Sequence, residues 1–342
     1  MLYYLGIAAF ELIVYLIYNQ AQNDKQRKWL FILGALGLWL FVGLRSNYTG
    51  VDTIGYVESF QKIVNIKWEG IKDAYNRDHG FHYFVKFIRS MTDSVVVFKL
   101  VTAFLSLVGV FDLCYHNTKR PVLALYFYVT IGNLFFVMTG MRQAIAMSFC
   151  MLAVRYIQKR KIIPFVLLVL IAVQFHHSAY IFLVMYFLGT RRVDALNMLV
   201  TIFITIAAYF SYEKLLGVVT EVLNYEAYGV LNANNGGIFF VILVIVLVLA
   251  LITKSNWMKD VKERVVMNTG VLCVVIWVFR LISRTAERPS MYFLNAIPVV
   301  LSESIDSMEN KQDRMLLELG AIALTFAFFA YRAMGQYYAL GI

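Results

Sequence analysis

The sequence predicts an all-α, polytopic integral membrane protein, and three observations carry that prediction. Apolar residues make up 61% of the 342-residue chain and charged residues only 15%. A soluble domain carries about 25% charged residues, so polar side chains here cannot cover the apolar surface. Stretches suited to a bilayer, about 20 residues with tolerance for tilt, recur from one end to the other. The connections between them alternate between short basic turns and longer polar or aromatic segments. No period of 20–50 residues repeats and no low-complexity tract occurs, so residues 1–342 read as a single transmembrane domain.

The first stretch, 2–18, lacks the basic start and the small-residue cleavage site of a signal peptide, and reads as a retained span. Further spans are expected near 29–44, 95–115, 121–138, 141–157, 162–175, 178–189, 195–210, 237–253, 265–283, 289–301 and 315–333, about twelve transmembrane helices in all. All should be helices, because backbone groups in lipid must be satisfied within their own segment. The short basic connections are NDKQRK (23–28), NTKR (117–120), QKRK (158–161), TRR (190–192), KSNWMKDVKER (254–264) and NKQDR (310–314). Their Lys/Arg excess assigns them to the cytoplasm and both termini to the outside. The same excess explains the net charge of +10 without nucleic acid, since the basic residues come as short clusters between apolar spans. Cys114, Cys150 and Cys273 fall in or beside apolar segments, with neither a metal spacing nor a disulfide framework.

The outer connections comprise a long loop at 45–94, tight turns near Gly140 and at His176 and His177, a second loop at 211–236, and SRTAERPS (283–290). In the long extracytoplasmic loop, Ile54, Val57, Phe60 and Val64 recur at near-helical spacing. Phe81, Phe84, Val85 and Ile88 do the same. Both runs predict amphipathic helices lying in the outer interface. A loop folded back onto a membrane in this way covers something.

Arginines that break the charge bias are informative. Arg45, Arg142, Arg280, Arg284 and Arg288 lie at outer span ends or within spans. A charge in the hydrocarbon costs at least about 2.5–3.5 kcal/mol, and such residues face polar cavities unless they snorkel. Arg280, Arg284 and Arg288 are spaced to share one helix face. Glu287 offsets part of their repulsion, and a bound anionic group would offset the rest; the planar guanidinium suits phosphate oxygens.

His176 and His177, in QFHHSAY, are candidates for acid–base chemistry as well as for an ordinary polar helix end. Zinc is not expected, since no Cys/His grouping supplies the other ligands. Asp52 follows Gly50, which permits a tight turn. It fits either a plain N-cap of the helix from Thr53 or a carboxylate that takes a hydroxyl proton. In NYEAYGVLNANNGG, tyrosine faces and asparagine amides together suit a sugar surface. An aromatic belt would explain Tyr225 and Tyr228 but not Asn232, Asn234 and Asn235.

In order along the chain, Arg45, Asp52, Thr53 and Tyr56, then GMRQAIAMSF (140–149), FHHSA (175–179) and RPSMYF (288–293) resemble the EpsG family of membrane proteins, which are similar to Wzy-type polysaccharide polymerases. The blocks span roughly residues 40–300. Where the family pattern has a glutamate before GF, RDHGFHYF carries Asp78 and His79.

The resemblance implies a GT-C-like architecture in the bacterial plasma membrane. It implies an enzyme that joins undecaprenyl-diphosphate-linked oligosaccharide repeat units into exopolysaccharide, capsule or O-antigen-like polymer at the outer face. A Wzx-type flippase and a chain-length co-polymerase are the partners implied. On this reading Arg45, Arg142, Arg280, Arg284 and Arg288 bind diphosphate, and Tyr56, Gln143, Tyr225, Tyr228, Asn232 and Asn234 bind glycan. Asp52 is the preferred base, with His176 and His177 as the alternative, and inversion without metal or other cofactor is expected. A lipid-linked oligosaccharide flippase or exporter would instead need polar residues along a path to both faces. A membrane O-acyltransferase would need a histidine reached from inside, where only His116 lies.

Overall fold

The computed structural model describes residues 1–212, 214 and 236–341. Among them every regular element is helical, and the one extended pairing is an isolated antiparallel bridge between Arg45 and Leu340. The first membrane-facing hairpin is α1 (Leu2–Asn19) and α2 (Asp24–Gly43). The long loop then folds as α3 (Thr53–Lys62), α4 (Ile71–Ala74) and α5 (His79–Met91). The bundle continues with α6 (Val95–Asn117), α7 (Pro121–Ile131), α8 (Leu134–Thr139), α9 (Met141–Gln158), α10 (Ile162–Phe175), α11 (Val184–Leu188) and α12 (Ala195–Phe210). It closes with α13 (Gly237–Trp257), α14 (Val261–Arg280), α15 (Glu287–Leu294), α16 (Ile297–Asp306) and α17 (Lys311–Ala333).

Four of these helices, α1, α6, α13 and α17, are long and apolar enough to cross a membrane. Others are apolar but shorter, or carry polar ends: α2 opens on DKQRK and α9 on MRQ. The centre of the bundle is α9, packed between α6 and α10, while α7 and α16 fill the space between α1, α13 and α17. All eleven residues of α7 are buried, which its continuous apolar run permits. By contrast α12 buries none of its residues. Phe203 and Ile252, on α12 and α13, are 72% and 73% exposed, a surface suited to lipid rather than water.

Three expected spans are interrupted. The stretch 121–138 breaks at 132–133, between α7 and α8, and 289–301 breaks at 295–296, between α15 and α16. Each break contains an asparagine, and the two meet: Asn133 Nδ2 donates to Asn295 Oδ1 (2.7 Å) and to the Met291 carbonyl (3.2 Å). Non-helical backbone at membrane depth survives where protein supplies such partners. The stretch 178–189 forms a 3₁₀ turn, His177–Leu183, before α11.

The long loop forms its amphipathic helices, but protein covers their apolar faces. Phe60, Ile63, Phe81, Val85 and Ile88 make one buried cluster with Phe98 of α6 and with Met141 and Ile145 of α9. Ile54 and Val64, expected in the buried stripe, are exposed, and Thr53 and Ile63 replace them. Thr53, Val57 and Phe60, at i, i+4 and i+7, form the buried face of α3, which leaves Ile54 outside it. The 3₁₀ turn Ile63–Asn65 turns Ile63 inward in place of Val64. The loop therefore caps one end of α6 and α9.

Candidate functional site

Six helix ends meet where the loop caps the bundle, the starts of α3, α5, α9 and α15 and the ends of α8 and α10. Gly50, at φ +84°, lies so close to α8 that a Cβ there would sit 2.2 Å from the Met138 carbonyl oxygen. Thr53 Oγ1 donates to that same carbonyl (2.8 Å) and to the Thr49 carbonyl (2.7 Å). These contacts pin the start of α3 against the end of α8. Asp52 occupies the N-cap position of α3, yet its side chain makes no capping hydrogen bond. It stays exposed on the wall of a cleft of about 930 Å³.

That cleft is also lined by Tyr56 of α3, Arg142 and Gln143 at the N-terminus of α9, His176 after α10, and Arg288 of α15. Six of the residues selected from sequence therefore share one cavity. Their registers are coupled: Gln143 Nε2 donates to the Arg288 carbonyl (2.7 Å), tying α15 to α9. Ser178 and Tyr292 hydroxyls lie 3.0 Å apart, tying α15 to the histidine turn. The loop supplies further walls in Ser59, Tyr75, Asn76, Arg77 and His82. The His82 ring stacks on Tyr75, centroids 3.5 Å apart.

The centre of the charge network is Asp78, which the sequence reading left without a role. Its backbone is in the left-handed region, φ 54° and ψ 44°, a conformation that aspartate tolerates better than most residues. Gly80 brings the first turn of α5 against the last turn of α10; a Cβ there would lie 2.5 Å from Gln174 Cβ. This approach delivers the Asp78 carboxylate beneath the histidine turn. Oδ2 accepts from Arg142 Nη1 (2.9 Å) and His176 Nδ1 (3.1 Å). Oδ1 accepts from the His177 backbone N–H (3.1 Å) and faces His177 Nδ1 (3.4 Å).

Burial alone would raise the Asp78 pKa. The hydrogen bonds from His176 and His177, with the charge His176 carries at the acid pH where Asp78 titrates and the charge of Arg142, outweigh it and hold the carboxyl well below its usual range. For His176, burial lowers the pKa more than Asp78 raises it, and His177 and Arg142 push the same way as burial. Its imidazole is neutral near pH 7. His82 is lowered to about 4, by burial first and then by Arg142. The cleft thus combines an ionised aspartate, neutral imidazoles and guanidinium groups.

The other arginines lie elsewhere. Arg45 does not face the cleft with Asp52: it is 1% exposed, with Nη1 donating to the Val42 carbonyl (2.6 Å). The segment after α17 seals it in, with Ser46 N–H donating to the Ala339 carbonyl (2.7 Å). Nor do Arg280, Arg284 and Arg288 share one helix face. Helix α14 ends at Arg280, a 3₁₀ turn spans Arg284–Ala286, and α15 starts at Glu287. Pro289 has no N–H for the carbonyl four residues back, which disfavours a helix running unbroken from Arg280 through it, and it sits instead in the first turn of α15. The fold-back lets Arg280 Nε pair with Glu287 Oε2 (2.5 Å). Arg284 is exposed and does not line the cleft. Arg332 of α17, unselected from sequence, is held over the rings of Phe135, Phe239 and Phe328. Tyr225, Tyr228, Asn232 and Asn234 lie outside the described residues.

Asp78, His176 and His177 place ligand-type atoms within 4.8 Å of one another. Both carboxylate oxygens are already engaged, and the Arg142 guanidinium on Oδ2 sets a fixed positive charge beside any cation. The donor set fits a hydrogen-bonded anchor better than a metal centre. Chemically, the cleft can hold an anion on Arg142 and Arg288 and accept a proton at His176 or Asp52.

A sequence model of the EpsG family matches residues 28–340, almost the whole chain. The chain therefore belongs to the EpsG family, a family of Wzy-type polysaccharide polymerases. No curated protein and no solved structure matches it.

Proposed function

We propose that this EpsG-family chain joins undecaprenyl-diphosphate-linked oligosaccharides into a surface polysaccharide, at the outer face of the bacterial plasma membrane. The observation that carries the reading is the cleft, which gathers Asp52, Tyr56, Arg142, Gln143, His176 and Arg288 from four separate stretches of sequence. Clefts of roughly 300–1,000 Å³ enclose ligands of drug size, so 930 Å³ is room for a diphosphate and adjoining sugar. Its walls offer the two chemistries such a substrate needs: guanidinium groups for the diphosphate, and hydroxyl, amide and aromatic groups for the sugar.

In the proposed transfer, the acceptor hydroxyl oxygen forms a bond to the anomeric carbon of the donor chain. The bond from that carbon to the diphosphate oxygen breaks, and the lipid diphosphate leaves with the electron pair. Direct displacement inverts the anomeric centre. The hydroxyl proton passes to a base on the cleft wall. Arg142 and Arg288 stabilise the negative charge that grows on the leaving group, which can be the main catalytic contribution in a site shielded from water. The arginines supply this charge without a metal. A flippase delivering lipid-linked units and a co-polymerase setting chain length are the partners this role implies.

Two measurements test the reading. Deletion of the chain should abolish polymer and leave single lipid-linked repeat units accumulating; unchanged polymer would refute it. The native cysteines are all buried, so single cysteines can report the side of the membrane. A cysteine at Asn76 should react with an impermeant reagent on intact cells, and one at Asn310 only after permeabilisation. The reverse pattern would place the cleft on the wrong side.

A further inference from the structure

Among the described residues on the cleft wall, Asp52 and His176 are the candidates to take the acceptor proton, since His82, lowered to about 4, is a weaker base, and the two differ in how they are held. Asp52 has no fixed partner at its N-cap position. His176 is clamped: its Nδ1 lies 3.1 Å from Asp78 Oδ2, and the carboxylate is ionised. An ionised carboxylate only accepts hydrogen bonds, so Nδ1 carries the proton. In the neutral imidazole the lone pair is then on Nε2. His176 lines the cleft, whereas His177 gives Asp78 both its backbone N–H and its ring.

We infer that Asp78 is a positioning residue that fixes His176 as the base of this site, with Nε2 taking the proton of the acceptor hydroxyl. Three features of Asp78 go beyond what a structural ion pair requires. It sits in a left-handed backbone conformation; strain of this kind collects at functional sites. It does not cap its own helix. Its carboxylate serves three separate segments, the loop before α5, α9 and the histidine turn, and so locks their relative positions. When His176 gains the proton, Asp78 also balances the imidazolium, which otherwise faces the positive Arg142.

This inference rests on the polymerase reading, and its test separates the two. Polymer growth from endogenous lipid-linked units is timed in membranes of a deletion strain carrying each variant. Asp78→Asn preserves size but removes the negative charge, and its amide nitrogen must face either the Arg142 and His176 donors at the Oδ2 position or the His177 N–H at the Oδ1 position, so one side of the clamp on His176 is lost. The rate should fall by about 10²–10⁴-fold, the usual contribution of a general base. Lipid-linked units should still accumulate. Among the described residues, Asp78, Arg142 and His177 are the charged or titratable groups that act on His176. Since Asp78 raises the His176 pKa, the acid limb of any residual rate should move to lower pH.

His176→Gln should abolish that limb, and Asp78→Asn added to His176→Gln should cost nothing further, because coupled residues fail to add. An Asp78→Asn rate within about threefold of wild type would overturn the inference, as would a double variant losing a second comparable factor. If Asp78→Asn does not accumulate, His176→Gln decides by itself: full rate refutes the assignment, and loss of rate with loss of the limb supports it. A deletion strain that still makes polymer refutes the polymerase reading instead.

Discussion

Two arginines hold opposite ends of the bundle, and they are partnered differently. Arg120 precedes α7 at the far end of α6, roughly 35 Å from the loop at 1.5 Å per residue. Its Nε meets Asp306 Oδ1 at 2.7 Å, and its Nη1 meets Glu318 Oε2 at 2.5 Å and Tyr15 OH at 3.0 Å. Two carboxylates thus share one guanidinium, whose side chain is 17% exposed. Among the described residues Arg142 pairs with one carboxylate, Asp78, which two histidines also contact, and its side chain is 35% exposed in the cleft. A guanidinium whose charge is cancelled by its neighbours fastens helices together. One that contacts a single carboxylate among the described residues, and which opens on a cavity, has N–H donors left for a ligand.

The largest expected effect follows from that surplus. Arg142→Ala should lower polymerisation by at least about 10²–10³-fold, the usual loss when one preset donor to a developing negative charge is removed. Arg142→Lys should recover little, because a lysine cannot bridge Asp78 and a phosphate with one planar fork. Arg288→Ala should behave similarly without disturbing Asp78, since Gln143 holds only the Arg288 backbone carbonyl. Normal-length polymer from both alanine variants would mean that Arg142 and Arg288 hold no substrate and that the two ends of the molecule do not differ in this respect.

The contrast between the two ends was only partly legible in the sequence. Hydrophobic periodicity placed the helices, because burial in lipid or protein leaves a pattern in consecutive residues. It could not place Asp78, which lies 98 residues before His176 and touches it only because Gly80 lets α5 approach α10. The local signal was an acid two residues before a glycine in the first turn of an amphipathic helix, where the family pattern carries a glutamate. Arg45 was misplaced for the same physical reason, since the cover that buries it comes from the opposite end of the chain. The break between Arg280 and Arg288 was legible: Pro289 disfavours the continuous helix that the i, i+4, i+8 spacing assumed. Helical spacing has meaning only within one unbroken helix.

A smaller effect is expected at Asp52. Asn at this position keeps the size and the capping ability of Asp, so the substitution removes charge alone. The carboxylate contributes to the field at Arg142, and its loss should alter the rate by less than about tenfold, below the range of a general base. A loss of about 10²–10⁴-fold with normal protein levels would instead make Asp52 the base. His176→Gln would then remain active.

The smallest change in turnover is expected where the charge is fully matched. Arg120→Ala leaves Glu318 and Asp306 without their shared cation, and both are only 16–17% exposed. Breaking a buried pair from one side costs about 3–5 kcal/mol, so the folded population and the melting temperature in detergent should drop. The cleft lies at the other end of α6 and shares no residue with this network. Polymerisation per folded molecule should therefore stay within about twofold of wild type, since distant sites without shared partners act nearly independently. Measuring rate and folded fraction on the same preparations separates the two quantities. A rate per folded molecule that falls as steeply as in Arg142→Ala would show that the far end is coupled to the cleft through α6, and Arg120 would then belong to the working parts of the enzyme.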